Sequence, residues 1–290
     1  MGNDAAGDEK YSAEELSKMA TLASVVVASI LILSKTWAYW TTGSVSVLGS
    51  LLDSLLDGLT SLINFIALRY AIIPADGNHK FGHGKLESIA ALCQSAFMIG
   101  SAVVLLLNSF DAMLDRREVA DSHIGLAVII FSMALTIVLV SFQKYVMTKS
   151  QSLIVEADSL HYQGDILLNL AVVFALLFVD FGLVWMDAAM AIGIAGFLAF
   201  NAWKVGKKAF EDLMDQQLPD VEQQVERLVS ELPGALGCHD VRCRQSGPNL
   251  FIQFHLELDE NLPLWSAHEI GDHVERRLKE EYPHSDIIIH

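Results

Sequence analysis

The sequence predicts a membrane α-helical bundle of six transmembrane helices followed by a small C-terminal cytosolic α+β domain. Two observations carry this. Apolar residues gather into six windows of the length a helix needs to cross a bilayer, about 20 residues. Past residue 208 the runs shorten and begin to alternate between apolar and polar. Of the 290 residues, 52% are hydrophobic and 19% charged, and the mean hydropathy is +0.40, the balance of a polytopic membrane protein with a soluble part attached.

The windows fall near 18–40, 45–70, 88–113, 123–146, 155–180 and 184–203, dividing the chain into an acidic disordered tail (1–15), a transmembrane domain (16–208) and a cytosolic domain (209–290). The opening MGNDAAGDEKYSAEELSK has acids where a signal peptide carries a basic region, and reads as a solvated tail. Lys10, Lys18, Arg69, Lys80, Lys85, Lys144, Lys149, Lys204, Lys207 and Lys208 fall on one side of the membrane. The opposite loops hold only Arg116 and Arg117, among Asp111, Asp115, Glu118 and Asp121. The positive-inside rule then puts both termini in the cytoplasm.

The tail domain reads helix, strand, strand, helix, strand. PDVEQQVERLVSEL is a helix started by Pro219, and HDVRCRQSGP is a strand ending in a turn. In NLFIQFHLELD, Leu250, Ile252, Phe254, Leu256 and Leu258 share one face of a second strand. PLWSAHEIGDHVERRLKEEY is a second helix and SDIIIH a last strand, which together make a two-layer α+β unit. A net charge of −16 argues against nucleic acid as a partner and is compatible with cations. Cys93, Cys238 and Cys243 form no even framework and no CxxC, so no structural disulfide is implied.

The informative residues are the acids inside the apolar windows. An ionised carboxylate near the bilayer centre costs at least ~2.5–3.5 kcal/mol, so Asp53 and Asp57 need a reason to be there. They lie four apart on the second helix and share a face. His161 and Asp165 repeat the spacing on the fifth, with Asp158 a turn earlier. The two helices enter from opposite sides and each pair sits some ten residues in, so the pairs can meet at similar depth. Three carboxylates and an imidazole make a four-coordinate N/O site of the kind Zn²⁺ takes. Asp158, nearer the cytosolic end, reads as a helix-start acid or gate. Asn64, Gln94, Asn108 and Asn169 read as interhelical hydrogen-bond partners. The Gly-rich loop PADGNHKFGHGKLES offers Asp76, His79 and His83, spaced so that three ligands can face one ion. His239, His255, His268 and His290 lie on adjacent elements of the cytosolic domain. His273 and His284 read as solvent-exposed, and His123 as lying at the outer membrane surface.

These paired motifs, the loop, six helices and a compact C-terminal domain resemble the cation diffusion facilitator family from about residue 16 onward. The resemblance implies a homodimer that exports divalent metal from the cytoplasm of a bacterium across its inner membrane, in exchange for protons, with a ferredoxin-like, metallochaperone-like cytosolic domain. It puts the transport site on Asp53, Asp57, His161 and Asp165, where the histidine favours Zn²⁺ and Cd²⁺ over Mn²⁺ or Fe²⁺. It puts a second zinc site on Asp76, His79 and His83, and a pair of zinc ions at the dimer interface on His239, His255, His268 and His290. The family motif continues past the last of these to a bridging acid, whereas this sequence ends at His290. Lys85 and Asp215 match a charge interlock at the family's dimer junction.

Proton exchange also follows from the residues. Metal ligands must be deprotonated, so binding expels protons and protonation expels metal, and an imidazole with an ordinary pKa near ~6.5 suits that role. No GxxxxGK[ST] phosphate loop suggests a nucleotide, and no HExxH suggests an intramembrane metallohydrolase, so an enzyme is not expected. A membrane metal sensor that binds without carrying is the alternative.

Overall fold

The computed structural model describes residues 12–43, 45–114, 123–150, 152–178 and 185–290. Arg116, Arg117, Lys10 and most of the expected tail lie outside these residues, as do the side chains of Asn108 and His123. Among these residues six long helices come first: α1 (Ala13–Thr42), α2 (Val45–Ala71), α3 (Lys85–Leu114), α4 (His123–Met147), α5 (Leu153–Phe178) and α6 (Trp185–Leu213). Helix α1 begins inside the stretch expected to be disordered, because Ser12 and Glu15 form a capping box that satisfies both free backbone N–H groups. Helix α6 runs ten residues past its expected apolar window, through Lys204, Lys207 and Lys208. Hydropathy marks where a helix leaves hydrocarbon, not where its hydrogen bonds stop.

Among the described residues five of these helices are long and apolar enough to cross a membrane: all except α5. Helix α5 carries Glu156, Asp158, His161 and Asp165, and it is the helix around which the others pack. Its Tyr162 is buried with Val27 and Leu31 of α1 and Leu139 and Val140 of α4. Its Ile154 packs with Leu68 of α2 and Ala90 of α3, and its Ala171 joins Met98, Ala195 and Leu198 of α3 and α6. Gly164 lets α6 approach: a Cβ there would collide with Leu198. Apolar side chains also face outward, with Trp40 87%, Leu33 70% and Val138 67% exposed. That outer surface suits lipid, where apolar exposure costs nothing and every backbone group is bonded within its own helix.

The chain divides into two compact units, 1–71 with 86–209, and 72–85 with 210–290. The second holds α7 (Pro219–Ser230), β1 (Gly237–Ser246), β2 (Asn249–Glu257), α8 (Leu264–Glu281) and β3 (Ser285–Ile289). Strand order is β1-β2-β3, with β1 antiparallel and β3 parallel to β2. Ser246 pairs with Asn249 around a two-residue turn, and Gly247 supplies the positive φ of 57° that such hairpins need. Val225 and Val229 of α7 and Val274 and Leu278 of α8 bury against Val241, Cys243, Ile252, Phe254 and Ile287. The loop 72–85 folds with this unit, where Phe81 meets Phe251 edge to face at 5.6 Å. Gly84 lies so close to the backbone of Ser246 that no other residue fits there.

Candidate metal sites

Helix spacing stacks Asp53 above Asp57 on α2 and His161 above Asp165 on α5, and packing of the two helices turns three of these four together. Ligand atoms of Asp57, His161 and Asp165 all lie within 4.8 Å of one another. His161 Nε2 is 2.9 Å from Asp57 Oδ1 and 3.9 Å from Asp165 Oδ2. The imidazole is 8% exposed, between Phe97 and Tyr162. Asp53 is not part of this group: it stands a turn away, exposed, and reaches Asp57 through its charge.

Asp158 is neither a helix-start acid nor near solvent. It is 1% exposed and accepts hydrogen bonds from Ser24 of α1 (2.6 Å), Gln143 of α4 (2.7 Å) and Asn64 of α2 (3.2 Å). This carboxylate therefore ties four helices together one turn from His161. Tyr162 adds a hydroxyl contact to Ser61 at 2.9 Å. Asn64 has its interhelical bond, whereas the buried Gln94 Nε2 finds no partner among the described residues.

The loop set converges as the spacing suggested. Asp76 Oδ1 accepts the backbone N–H groups of Asn78 (2.8 Å) and His79 (2.7 Å), a turn that folds the loop around the carboxylate. Those bonds, His79 first, hold the Asp76 carboxyl below the usual carboxylate range. His79 Nδ1 is 3.4 Å and His83 Nε2 3.6 Å from Asp76, with the two rings 4.4 Å apart. His83 Nδ1 faces the carbonyl of Ile73 at 3.3 Å. When that nitrogen carries the proton, Nε2 keeps its lone pair towards Asp76, the usual way a second partner fixes a ligating tautomer.

The cytosolic histidines are brought together only in part. His239 and His255 are paired across β1 and β2 with rings 5.1 Å apart, and His290 follows at 4.7 Å from His255. His239 Nδ1 also meets Glu257 at 2.7 Å, a ligand type the sequence reading had not placed there. His268 is exposed on α8 and faces Asp272 at 3.7 Å. Among the described residues these imidazoles do not converge as tightly as the other two sets, yet nitrogen donors with an adjacent carboxylate are a donor set that Zn²⁺ accepts. Cys238 and Cys243 pack on the core side of β1, away from His239. Burial first, then Glu222, pushes the Cys243 thiol up to about 11, and burial, with Glu226 and Glu257, raises Cys238 too. Neither is poised as a thiolate. His273 and His284 are exposed.

Lys85 Nζ meets Asp215 Oδ1 at 2.9 Å and also bonds the carbonyl of Asp212. Arg244 reaches the same carboxylate at 3.3 Å while stacked on Phe81 and Phe251, 4.8 Å from each ring centre. Partial burial works against the charge of Asp215, but the bond and charge of Lys85, then of Arg244, hold its carboxyl below the usual range.

A charged residue inside a span that no sequence pattern had singled out is Lys35. Lys35 of α1 donates to Ser54 Oγ at 2.6 Å and to the Ser50 carbonyl at 3.1 Å, both on α2. A lone lysine inside ILILSKTWAYW was a usable signal, but counting charges in loops ignores a lysine within a span.

A unit of long apolar helices with a carboxylate and imidazole cluster inside it, followed by a small α+β unit carrying a row of histidines, has the makings of a cation transporter. Residues 21–214 match the cation efflux transmembrane domain, and residues 218–290 match the cytoplasmic domain of cation efflux proteins. The chain belongs to the cation efflux family of membrane transporters. The cation-efflux pump FieF of Yersinia enterocolitica is 44% identical over 284 residues, covering 98% of this chain and 94% of that protein. FieF of Salmonella choleraesuis is 45% identical over 276 residues, covering 95% and 92%. A solved chain of the zinc transporter CzrB is 33% identical over a match that covers 26% of this chain and 89% of that one, at a TM-score of 0.25.

Proposed function

We propose that this chain exports divalent transition-metal cations from the bacterial cytoplasm across the inner membrane in exchange for protons, with Zn²⁺ as main cargo and Cd²⁺ and Fe²⁺ as further ones. The observation that supports it most is the convergence of Asp57, His161 and Asp165 from two helices at the heart of the helical unit. One imidazole among carboxylates favours Zn²⁺ over harder ions. Asp53, on the same face a turn away, closes the set when cargo is present. All six helices span the bilayer, α5 with its polar groups turned inward, and both termini are cytoplasmic.

Exchange is a consequence of the ligands. His161 and the carboxylates bind metal only when deprotonated, so protons delivered from one side displace the ion and its arrival from the other displaces protons. Alternating exposure of the cluster converts that competition into coupled flux.

The protein works as a homodimer through its C-terminal unit. His239, His255 and His290, with His268 contributed nearby, would hold structural Zn²⁺ there, and Asp76, His79 and His83 would hold an ion in the loop. Lys85 and Asp215 brace the junction between subunits. The test is a flux assay in sealed proteoliposomes with a panel of metals and an imposed pH gradient. Zn²⁺ movement driven by the gradient is expected. Metal binding without flux would make the protein a sensor instead.

A further inference from the structure

Lys35 sits in the outer part of α1, between apolar residues and just before Trp37, Tyr39 and Trp40, an aromatic set of the kind that marks a membrane interface. A lysine at such a place ordinarily stretches outward to water. This one turns inward. Its ammonium is anchored on α2 by the Ser54 hydroxyl and the Ser50 carbonyl, and Ser54, 1% exposed, lies in sequence between Asp53 and Asp57. The lysine's charge acts on Asp57, Asp165 and Asp53, every carboxylate of the cargo set.

We propose that Lys35 is a tethered counter-ion of the cargo site, which weakens the hold on a divalent cation enough for it to leave. The inference rests on the reading of the Asp57, His161 and Asp165 cluster as the cargo site. Three carboxylates in a medium of low dielectric attract a divalent ion strongly, and a site that binds too tightly loads but does not unload. With Lys35 charged and His161 neutral, three carboxylates, one ammonium and one divalent ion sum to zero. Without the ammonium, the loaded site keeps a net negative charge inside the membrane. The two bonds to α2 fix that positive charge on the stretch of helix that carries Asp53 and Asp57, whereas a free counter-ion from solution would depart.

The experiment is steady-state Zn²⁺ flux in proteoliposomes at one fixed neutral pH, where the ammonium carries its charge and Zn²⁺ stays soluble, comparing wild type with K35M, K35R and D57A. Flux reads carriage of the ion through the helical unit, not binding at the loop or cytosolic histidines. K35M should lower KM by about tenfold or more and lower the maximal rate with it, while K35R, which keeps the charge, should stay within about threefold of wild type. A wild-type KM in K35M overturns the proposal, as does a K35R that behaves like K35M, since shape rather than charge would then be at work. If K35M fails to fold, K35Q makes the same comparison with a polar side chain. D57A separates the two layers: wild-type flux there removes the cargo-site reading and the role of Lys35 with it. Lost flux in D57A with unchanged KM in K35M removes Lys35 alone.

Discussion

Asp57, His161 and Asp165 on one side and Asp76, His79 and His83 on the other are nearly the same donors in two different solvents. The first set is held by two helices at i, i+4 spacing, its histidine 8% exposed. The second is folded by a hydrogen-bonded turn in a loop, with Asp76 and His79 exposed. In the loop an unoccupied carboxylate is simply hydrated. Among the helices it is left with few partners, so it must be compensated by an ion, a proton or a fixed cation. On the proposed function, burial rather than ligand identity is then what separates a site built to drive exchange from one built only to bind.

The comparison breaks most readily at Asp57. Asp57→Ala should reduce flux about 100-fold or more while the protein stays folded, because it removes the carboxylate 2.9 Å from His161. Proteoliposome uptake checks this, with size-exclusion profiles as the control for folding. Next comes His161→Asp, which makes the buried set all oxygen. Preference for Zn²⁺ over Mn²⁺ should fall about tenfold on a metal panel, and an unchanged profile would put selectivity elsewhere.

The C-terminal histidines should act on stability instead. A ligand that binds only the folded form at 100 times its Kd stabilises by about 2.7 kcal/mol. Zinc should therefore raise the melting temperature of the C-terminal transition in the full chain, and His255→Ala, the middle ring of the row, should blunt that rise while flux persists. Complete loss of flux would place these residues in the transport cycle.

Asp76→Ala should abolish binding at the loop yet leave flux within about threefold of wild type, since a hydrated site contributes affinity without coupling. A loss comparable to Asp57→Ala would erase the distinction between the two sets. The smallest effect belongs to Asp215. Its carboxyl is held below the usual range, so its pairing with Lys85 and Arg244 contributes above the ordinary carboxylate pKa and is lost as pH falls through the depressed value. Asp215→Asn should cost about 1 kcal/mol or less at neutral pH, and the difference in thermal melting between the two proteins should vanish in acid.

Much of this was open to reading from sequence because helices and strands have fixed periods. The i, i+4 pairs fixed which side chains of α2 and α5 share a face, and the alternation of Leu250, Ile252 and Phe254 fixed the core side of β2. Asp76, His79 and His83 were legible because their loop is short and turns upon itself. Periodicity does not say what a face will meet. Only packing left Asp53 outside the cluster and drew Lys35 of α1 towards it. Only packing made Asp158, one turn from His161, the knot of four helices, and bound the loop 72–85 to the C-terminal sheet through Phe81, Phe251 and Arg244. The physical reason is the range of the forces. Local hydrogen bonding and hydropathy act within one element and are written in its residues, whereas the pairing of buried charges depends on distances that exist only once several helices have closed around them.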